Sequence, residues 1–301
     1  MMDFGIPGDS IKLRKRTFKA LMHTDSTGYI DGASDFALMT PFAKDYHCDT
    51  ETRLWMAFLY GMSYSCTTVF RFVSEFPTLR DLTHKTVKKF WTDYKDELWF
   101  QTDRRYLKNN DQVIPAIKSI YQLSGKDLTS YLTPLLEQGF NAVYREIRNR
   151  WKFFGPMGAY LFFDALYGLL PDLYSDPEHL DWKHCGQTVP QGMAHLLGLD
   201  EQAIGDKPYD IPLYDRKVDL IAERFEQPKV IVESVLCMYR KLFKGTRYFG
   251  YYADRQLQEC HATARLIKEH CGINLWKYRE RTCPDTLRGE IHGWRGVRPE
   301  R

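Results

Sequence analysis

Residues 51–76 read ETRLWMAFLYGMSYSCTTVFRFVSEF, with Pro77 immediately after. Leu54, Phe58, Met62, Val69 and Phe72 recur near a 3.6-residue period, the spacing that lays apolar side chains along one face of an α-helix. The stretch predicts one kinked helix or two consecutive ones, stopped by a proline that cannot extend the hydrogen-bond ladder. The same pattern continues outward. Residues 81–100, DLTHKTVKKFWTDYKDELWF, and 127–151, DLTSYLTPLLEQGFNAVYREIRNRW, are helical in style, punctuated by Pro115, Ser124-Gly125 and Gly139. Clear alternating strands are absent, so the predicted fold class is all-α.

Further along, KFFGPMGAYLFFDALYGLLPDL (152–173) reads as a Gly-Pro-Met-Gly turn and an aromatic-rich helix from about Ala159 to Leu169, ended by Pro171. In residues 180–215, Gly186, Pro190 and Gly192 stand between two apolar helical segments, the composition of a tight helix-to-helix hairpin. Long helices from about Arg216 to Phe243 and from about Asp254 to Cys271 complete the pattern. With no repeat or convincing linker, the expectation is a single helical domain over 1–301. It is divisible into lobes at about 45–155 and 156–301 that flank a cleft, with 1–44 as an N-terminal extension.

The chain has 301 residues, 44% hydrophobic and 15% aromatic, enough for a packed core. Its 42 Lys+Arg against 39 Asp+Glu leave a net charge of only +3, so a polyanion must be met by local basic patches. Seven cysteines and a start, MMDFGIPGDSIKLRKR, without an apolar signal core imply free thiols in a reducing, cytoplasmic setting. No stretch approaches the roughly 20 apolar residues of a membrane span.

Neither a phosphate-binding P-loop nor a dinucleotide GxGxxG motif is present, which disfavours nucleotide-dependent kinases and Rossmann enzymes. Cys260, His261, His270 and Cys271 match no usual zinc spacing, so no metal site is assigned. Basic residues interleave with aromatics at 145–154, 238–255 and 275–301. Cations meet phosphates while rings stack on exposed bases, so this mixture suits DNA, particularly a base drawn out of the helix. Solvated surface remains the plain alternative for any one run. The densest is YFGYYADRQLQE (248–259), which follows RKLFKGTR (240–247). Its Asp254 is a candidate for proton handling, or else a helix cap. Asp164 shares a helix face with Tyr160, and Glu233 shares one with Cys237, Arg240 and Lys241.

Five segments together resemble the phage thymine-hypermodification proteins, the α-glutamyl/putrescinyl thymine pyrophosphorylases or amino acid:DNA transferases. They are RLWMAFLYGMSYSCTTVFRF, GPMGAYLFFDAL, DW...CGQTVPQGMAHLLG, ESVLCMYRKLFKGTRYFGYYADRQLQE and GEIHGWRGVRPE, and the likeness runs from about residue 45 to the end. The resemblance implies a DNA-glycosylase-like helical bundle, with CGQTVPQG (185–192) in the place of a helix-hairpin-helix element. That segment departs from the usual Leu-Pro-Gly-Val-Gly form. The nearest carboxylate at a glycosylase-like spacing is Asp210, in a Pro-Tyr-Asp-Ile-Pro loop. Base excision is thereby placed in doubt.

What the resemblance implies chemically is substitution on phage DNA carrying the pyrophosphate ester of 5-hydroxymethyluracil, in the host cytoplasm. A glycine or serine, or a polyamine such as putrescine, displaces pyrophosphate from the 5-methylene carbon. No cofactor is required, and a divalent metal is an admissible helper for the leaving charge. From that chemistry Asp254, Glu233 and Asp164 are the candidate catalytic carboxylates. Arg240, Lys241, Arg247 and Arg255 are the candidate pyrophosphate ligands, and Tyr251, Tyr252 and Tyr160 the base-stacking rings. Arg148, Arg150, Lys152, Gly186, Gly192 and Arg295 are expected to contact DNA. The competing readings are a true DNA glycosylase, which leaves an abasic product, and a non-catalytic DNA-binding phage protein.

Overall fold

The computed structural model describes residues 10–22, 36–183, 187–199, 210–283 and 288. Among them all longer elements are α-helices: α1 (Ile11–Met22), α2 (Met39–Asp45), α3 (Thr50–Ser63), α4 (Cys66–Glu75), α5 (His84–Tyr94), α6 (Arg105–Asn109), α7 (Val113–Ser124), α8 (Leu128–Leu136), α9 (Phe140–Arg150), α10 (Pro156–Leu169), α11 (Thr188–Leu197), α12 (Ile211–Phe225), α13 (Lys229–Phe243), α14 (Tyr251–Cys271) and α15 (Leu275–Thr282). The all-α expectation holds, and short 3-10 turns fill some connections. No described helix is long and apolar enough to cross a membrane.

The breaks between helices depend on backbone conformations that apolar periodicity does not encode. Residues 51–76 form two helices because Tyr64 turns left-handed at φ 55° and Ser65 then caps α4, its hydroxyl accepting from Thr68 N–H. Gly139, at φ 92°, parts α8 from α9. The expected single helix from about 216 to 243 is two, because Glu226 turns left-handed at φ 51° and Pro228 follows. Residues 188–197 also differ from expectation. Pro190 and Gly192 lie inside α11 instead of in a hairpin turn, since a proline in the first helical turn gives up no intrahelical bond.

The chain divides into two compact units. The first comprises residues 1–34, 176–255 and 283–293. Here α11 packs on α13, with α1 and α12 alongside. Gly192 is the point of closest approach. A Cβ there would stand 2.5 Å from the carbonyl oxygen of Leu236, so only glycine lets α11 lie against the α13 backbone. Around it Phe18, His195, Tyr239 and Phe243 form an edge-on and tilted aromatic cluster.

The second unit comprises residues 35–175, 256–282 and 294–301. Its centre is α3 against α10 and α4. A Cβ on Gly61 would meet the Phe154 ring at 2.8 Å and the Gly158 oxygen at 2.9 Å, so these glycines bring α3 and α10 together. Trp55, Phe58, Trp151 and Phe154 stack about that contact.

Carboxylates distant in sequence stop several helix N-termini, where unpaired N–H groups and the helix dipole favour an anion. Glu51 accepts from the N–H groups of Leu128 and Thr129 at 2.9 and 2.7 Å at the start of α8. Glu259 Oε1 accepts from Ser65 Oγ (2.6 Å), Thr67 Oγ1 (2.7 Å) and Thr67 N–H (2.9 Å) at the start of α4. In the first unit Asp176 takes the Lys229 N–H at the head of α13. Each such charge-assisted contact ties remote segments together.

Candidate functional site

The glycine-rich bend between α13 and α14 sets the densest group of candidate residues. Lys244 closes α13, Gly245 (φ 68°) and Gly250 (φ 86°) supply left-handed backbone, and α14 begins at Tyr251. Within this bend Tyr248 Oη donates to Asp254 Oδ2 at 2.6 Å. Asp254 is 0% exposed. It lies in the first turn of α14, its own N–H bonded to Gly250 O, so the cap reading does not describe it.

The Arg247 guanidinium sits 4.2 Å from the Tyr251 ring centroid, and that of Arg255 is 6.0 Å away. Tyr248, Tyr251 and Tyr252 meet edge to face. One face of Tyr251 is thus occupied by a cation. Tyr248 is the participant that sequence reasoning missed, although it stands at the head of the stretch that drew notice.

Glu233 lies on α13, buried at 8% exposure. Burial pushes its pKa up to about 8, against the pull of the Lys241 charge and a hydrogen bond from Ser234. Near neutral pH it is a protonated acid, ready to ionise just above. Arg240 and Lys241 follow two turns later on the same helix, both half-buried. Asp254, Glu233, Arg240, Lys241, Arg247, Arg255, Tyr251 and Tyr252 all belong to the first unit.

Of the other candidates, Asp164, Tyr160, Arg148, Arg150 and Lys152 fall in the second unit. Asp164 and Tyr160 share a face of α10, as expected, but that face is core. Tyr160 is 4% exposed and packs against Phe140 and Tyr144, so its ring offers no plane to a base. Arg148 donates to the Tyr144 hydroxyl, Arg150 pairs with Glu146, and Lys152 is exposed. Gly192 is buried against α13 and so does not line a DNA-facing turn. Gly186 and Arg295 lie outside the described residues, as does most of the tail GEIHGWRGVRPE.

Asp210, the carboxylate a glycosylase would need, is an exposed helix cap whose Oδ1 accepts the Leu213 N–H at 3.0 Å. His261 packs on Trp276 and His270 on Tyr94, while Cys271 meets Ser74 Oγ. A separate cavity of about 130 Å³, lined by Leu82, Val87, Ile114, Ile117 and Tyr121 among others, holds none of the residues chosen from sequence.

The described residues thus form an all-helical scaffold with a buried carboxylate bonded to a phenol and arginines on a tyrosine ring. The chain belongs to the amino acid:DNA transferase family, which it matches over residues 36–248, and it is a transferase. A serinyltransferase of Salmonella phage ViI is 26% identical to it, over 95% of this chain and 77% of that relative. No solved structure matches. The family match includes Asp164, Glu233, Arg240, Lys241 and Arg247 and ends at Tyr248, six residues before Asp254.

Proposed function

We propose that the transfer is a displacement at the 5-methylene carbon of a uracil in DNA that carries a pyrophosphate ester. The donor nitrogen, or the hydroxyl oxygen of serine, forms a bond to that carbon. The carbon–oxygen bond to pyrophosphate breaks, its electron pair leaves with pyrophosphate, and the donor's proton passes to a carboxylate. Asp254 and Glu233 are the bases in this reading. The observation that carries it is the buried Asp254–Tyr248 pair beside the Arg247–Tyr251 stack, in a chain of this family. A carboxylate accepts the proton, guanidinium groups meet the departing oxyanion, and an aromatic–cation plane holds the base.

A base cannot reach a buried carboxylate from within the stack, so base flipping is part of the proposal. Kinship with helix-hairpin-helix glycosylases belongs to it too, supported by the helical scaffold. Serine is the first-choice donor, on the name of the phage relative; glycine and putrescine are the competitors. Arg240, Lys241 and Arg255 serve the pyrophosphate, and Arg148, Arg150 and Lys152 the DNA backbone. No cofactor enters the scheme.

The test is nucleoside mass spectrometry of DNA bearing 5-pyrophosphoryloxymethyluracil, incubated with the protein and each donor in turn. A nucleoside extended by one serine, with pyrophosphate released, is the expected result. Abasic sites would convert the proposal to a glycosylase, and tight binding with an unchanged nucleoside would remove catalysis from it.

A further inference from the structure

Helix α1 lies outside the family match, which begins at residue 36. Its sequence, IKLRKRTFKALM, holds five cations and no carboxylate, more positive charge than the +3 of the whole chain. The helical period sorts its side chains onto two sides. Phe18, Leu21 and Met22 are buried, and the Phe18 ring meets Tyr239 of α13 edge-on at 5.5 Å. Arg14 turns toward the last turn of α11, its Nη1 donating to His195 O at 3.0 Å. Lys12, Lys15, Arg16 and Lys19 are all exposed. They stand at positions i, i+3, i+4 and i+7, and so form one stripe over about 10 Å of helix rise.

Such a stripe is unfavourable by itself. Side chains three and four apart on a helix interact, and here Lys12–Lys15, Lys12–Arg16, Lys15–Lys19 and Arg16–Lys19 are all like-charged. Lys12 also stands in the first turn, where the helix dipole opposes a cation. Several other surface cations are balanced locally. Lys89 has Asp93 and Arg150 has Glu146 one turn away on the same helix, while Arg80 pairs with Asp127 and Arg281 with Asp45. No carboxylate among the described residues pairs with any of the four on α1. The helices beneath supply none: α11 has no acidic residue, and Glu233, the one in α13, is buried.

We infer that the exposed face of α1 is a binding surface for the phosphate backbone of the DNA substrate. Duplex DNA carries one negative charge per about 1.7 Å of its axis, a row against which aligned cations lose their mutual repulsion and release condensed counterions. An anionic membrane is the other surface that basic amphipathic helices meet, but it takes up their apolar face. On α1 that face is already occupied by α11 and α13. Because α1 packs on α13, which carries Glu233, Arg240 and Lys241, the surface belongs to the same unit as the candidate site. Only the DNA substrate is taken from the preceding reading; nothing here depends on the displacement chemistry.

The experiment is fluorescence anisotropy of a labelled, unmodified duplex with the full chain across a series of salt concentrations. Each cation seated on a phosphate contributes about 0.9 to the slope of log Kd against log salt. The combined variant Lys12→Gln, Lys15→Gln, Arg16→Gln and Lys19→Gln is expected to lower that slope by about 2–4 and to weaken binding about 10²–10³-fold near 0.1 M salt. A fall smaller than two contacts' worth, about 1.8, overturns the surface. Lys85→Gln with Lys88→Gln removes two exposed charges from α5, in the other unit, and is expected to change the slope by less than one contact. An equal fall per charge in that control would assign the effect to net charge and overturn α1. The wild-type protein gives a second reading that needs no variant: acetylation of Lys12, Lys15 and Lys19, followed by peptide mass spectrometry, is expected to slow severalfold at saturating duplex. Unprotected lysines overturn the surface, as does protection by phosphatidylserine vesicles and not by duplex. Binding is read without turnover. A wild type that holds DNA through α1 and yields no serine adduct would refute the transfer chemistry and leave this surface, whereas serinylated DNA from a protein whose α1 lysines stay unprotected would do the reverse.

Discussion

Replacing Glu233 by glutamine tests both the electrostatics and the chemistry of α13. In the folded protein the Glu233 carboxyl titrates near 8, against 4.5 for an ordinary one, because burial withholds water from its charged form. Between those two values the native state holds a proton that the unfolded chain has released. Stability from this group is therefore complete below pH 4.5 and is lost as pH rises through 8. At about 1.36 kcal/mol per pH unit, the full loss approaches about 5 kcal/mol. Glu233→Gln keeps the shape and removes the charge. It is expected to match wild type within about 1 kcal/mol near pH 4.5, and to exceed it by several kcal/mol at pH 9. Urea unfolding from pH 4.5 to 9 reads this directly. If Glu233 also accepts the donor's proton, the wild-type transfer rate rises with pH to a plateau beginning near 8, and the variant loses that limb. Parallel stability-versus-pH curves for the two proteins would refute the argument, for they would mean a carboxyl already ionised at neutral pH.

Glu259→Ala strips Ser65 and Thr67 of the acceptor that closes α4, and leaves three donors buried; thermal or urea unfolding is expected to show a loss of about 3–5 kcal/mol. Gly192→Ala drives a methyl toward the α13 backbone, where no flexible side chain can yield, and is expected to cost about 1–3 kcal/mol or more; an unchanged melting temperature would show that α11 and α13 are not in that contact. Tyr248→Phe removes the phenol donor to Asp254 and is expected to cost about 1–3 kcal/mol by the same measurement, with a shifted pH profile of transfer.

The helices were legible because their signals are local. A period of 3.6 residues over 51–76, and the turn residues Gly139 and Pro171, need no knowledge of the rest of the chain. The breaks at Tyr64 and Glu226 were not legible, since neither residue type announces a left-handed turn. The same distinction runs through the site. Residues 247–255 meet because they are sequence neighbours folded over two glycines, so quoting the stretch came close to drawing the cluster. Periodicity placed Tyr160 and Asp164 on one face but carried no information about whether it met solvent or core. Arg104 has partners 42 and 49 residues away, and Glu259 has partners 192 and 194 away; such pairs come into being only on folding.

Asp254 and Glu259 stand five residues apart in a run, 253–260, in which every residue is buried. A helix this polar and this enclosed costs stability unless each charged group has work that repays its desolvation. For Glu259 that work is visible, three donors on one oxygen at a helix terminus, and a neutral amide can do most of it. Glu259→Gln is therefore expected to lose about 1–2 kcal/mol of stability and to keep its product yield per folded molecule. Asp254 accepts from the Tyr248 phenol, a bond that an asparagine oxygen can also accept. Asp254→Asn should then stay within about 2 kcal/mol of wild type, while transfer to pyrophosphorylated DNA falls by about 10²–10⁴. The two variants form a matched pair on one buried helix segment, differing in whether chemistry or architecture uses the charge. Equal activity losses in both, scaled to the folded fraction, would mean that burial of charge in α14 serves architecture throughout. Full activity in Asp254→Asn would move the proton to Glu233.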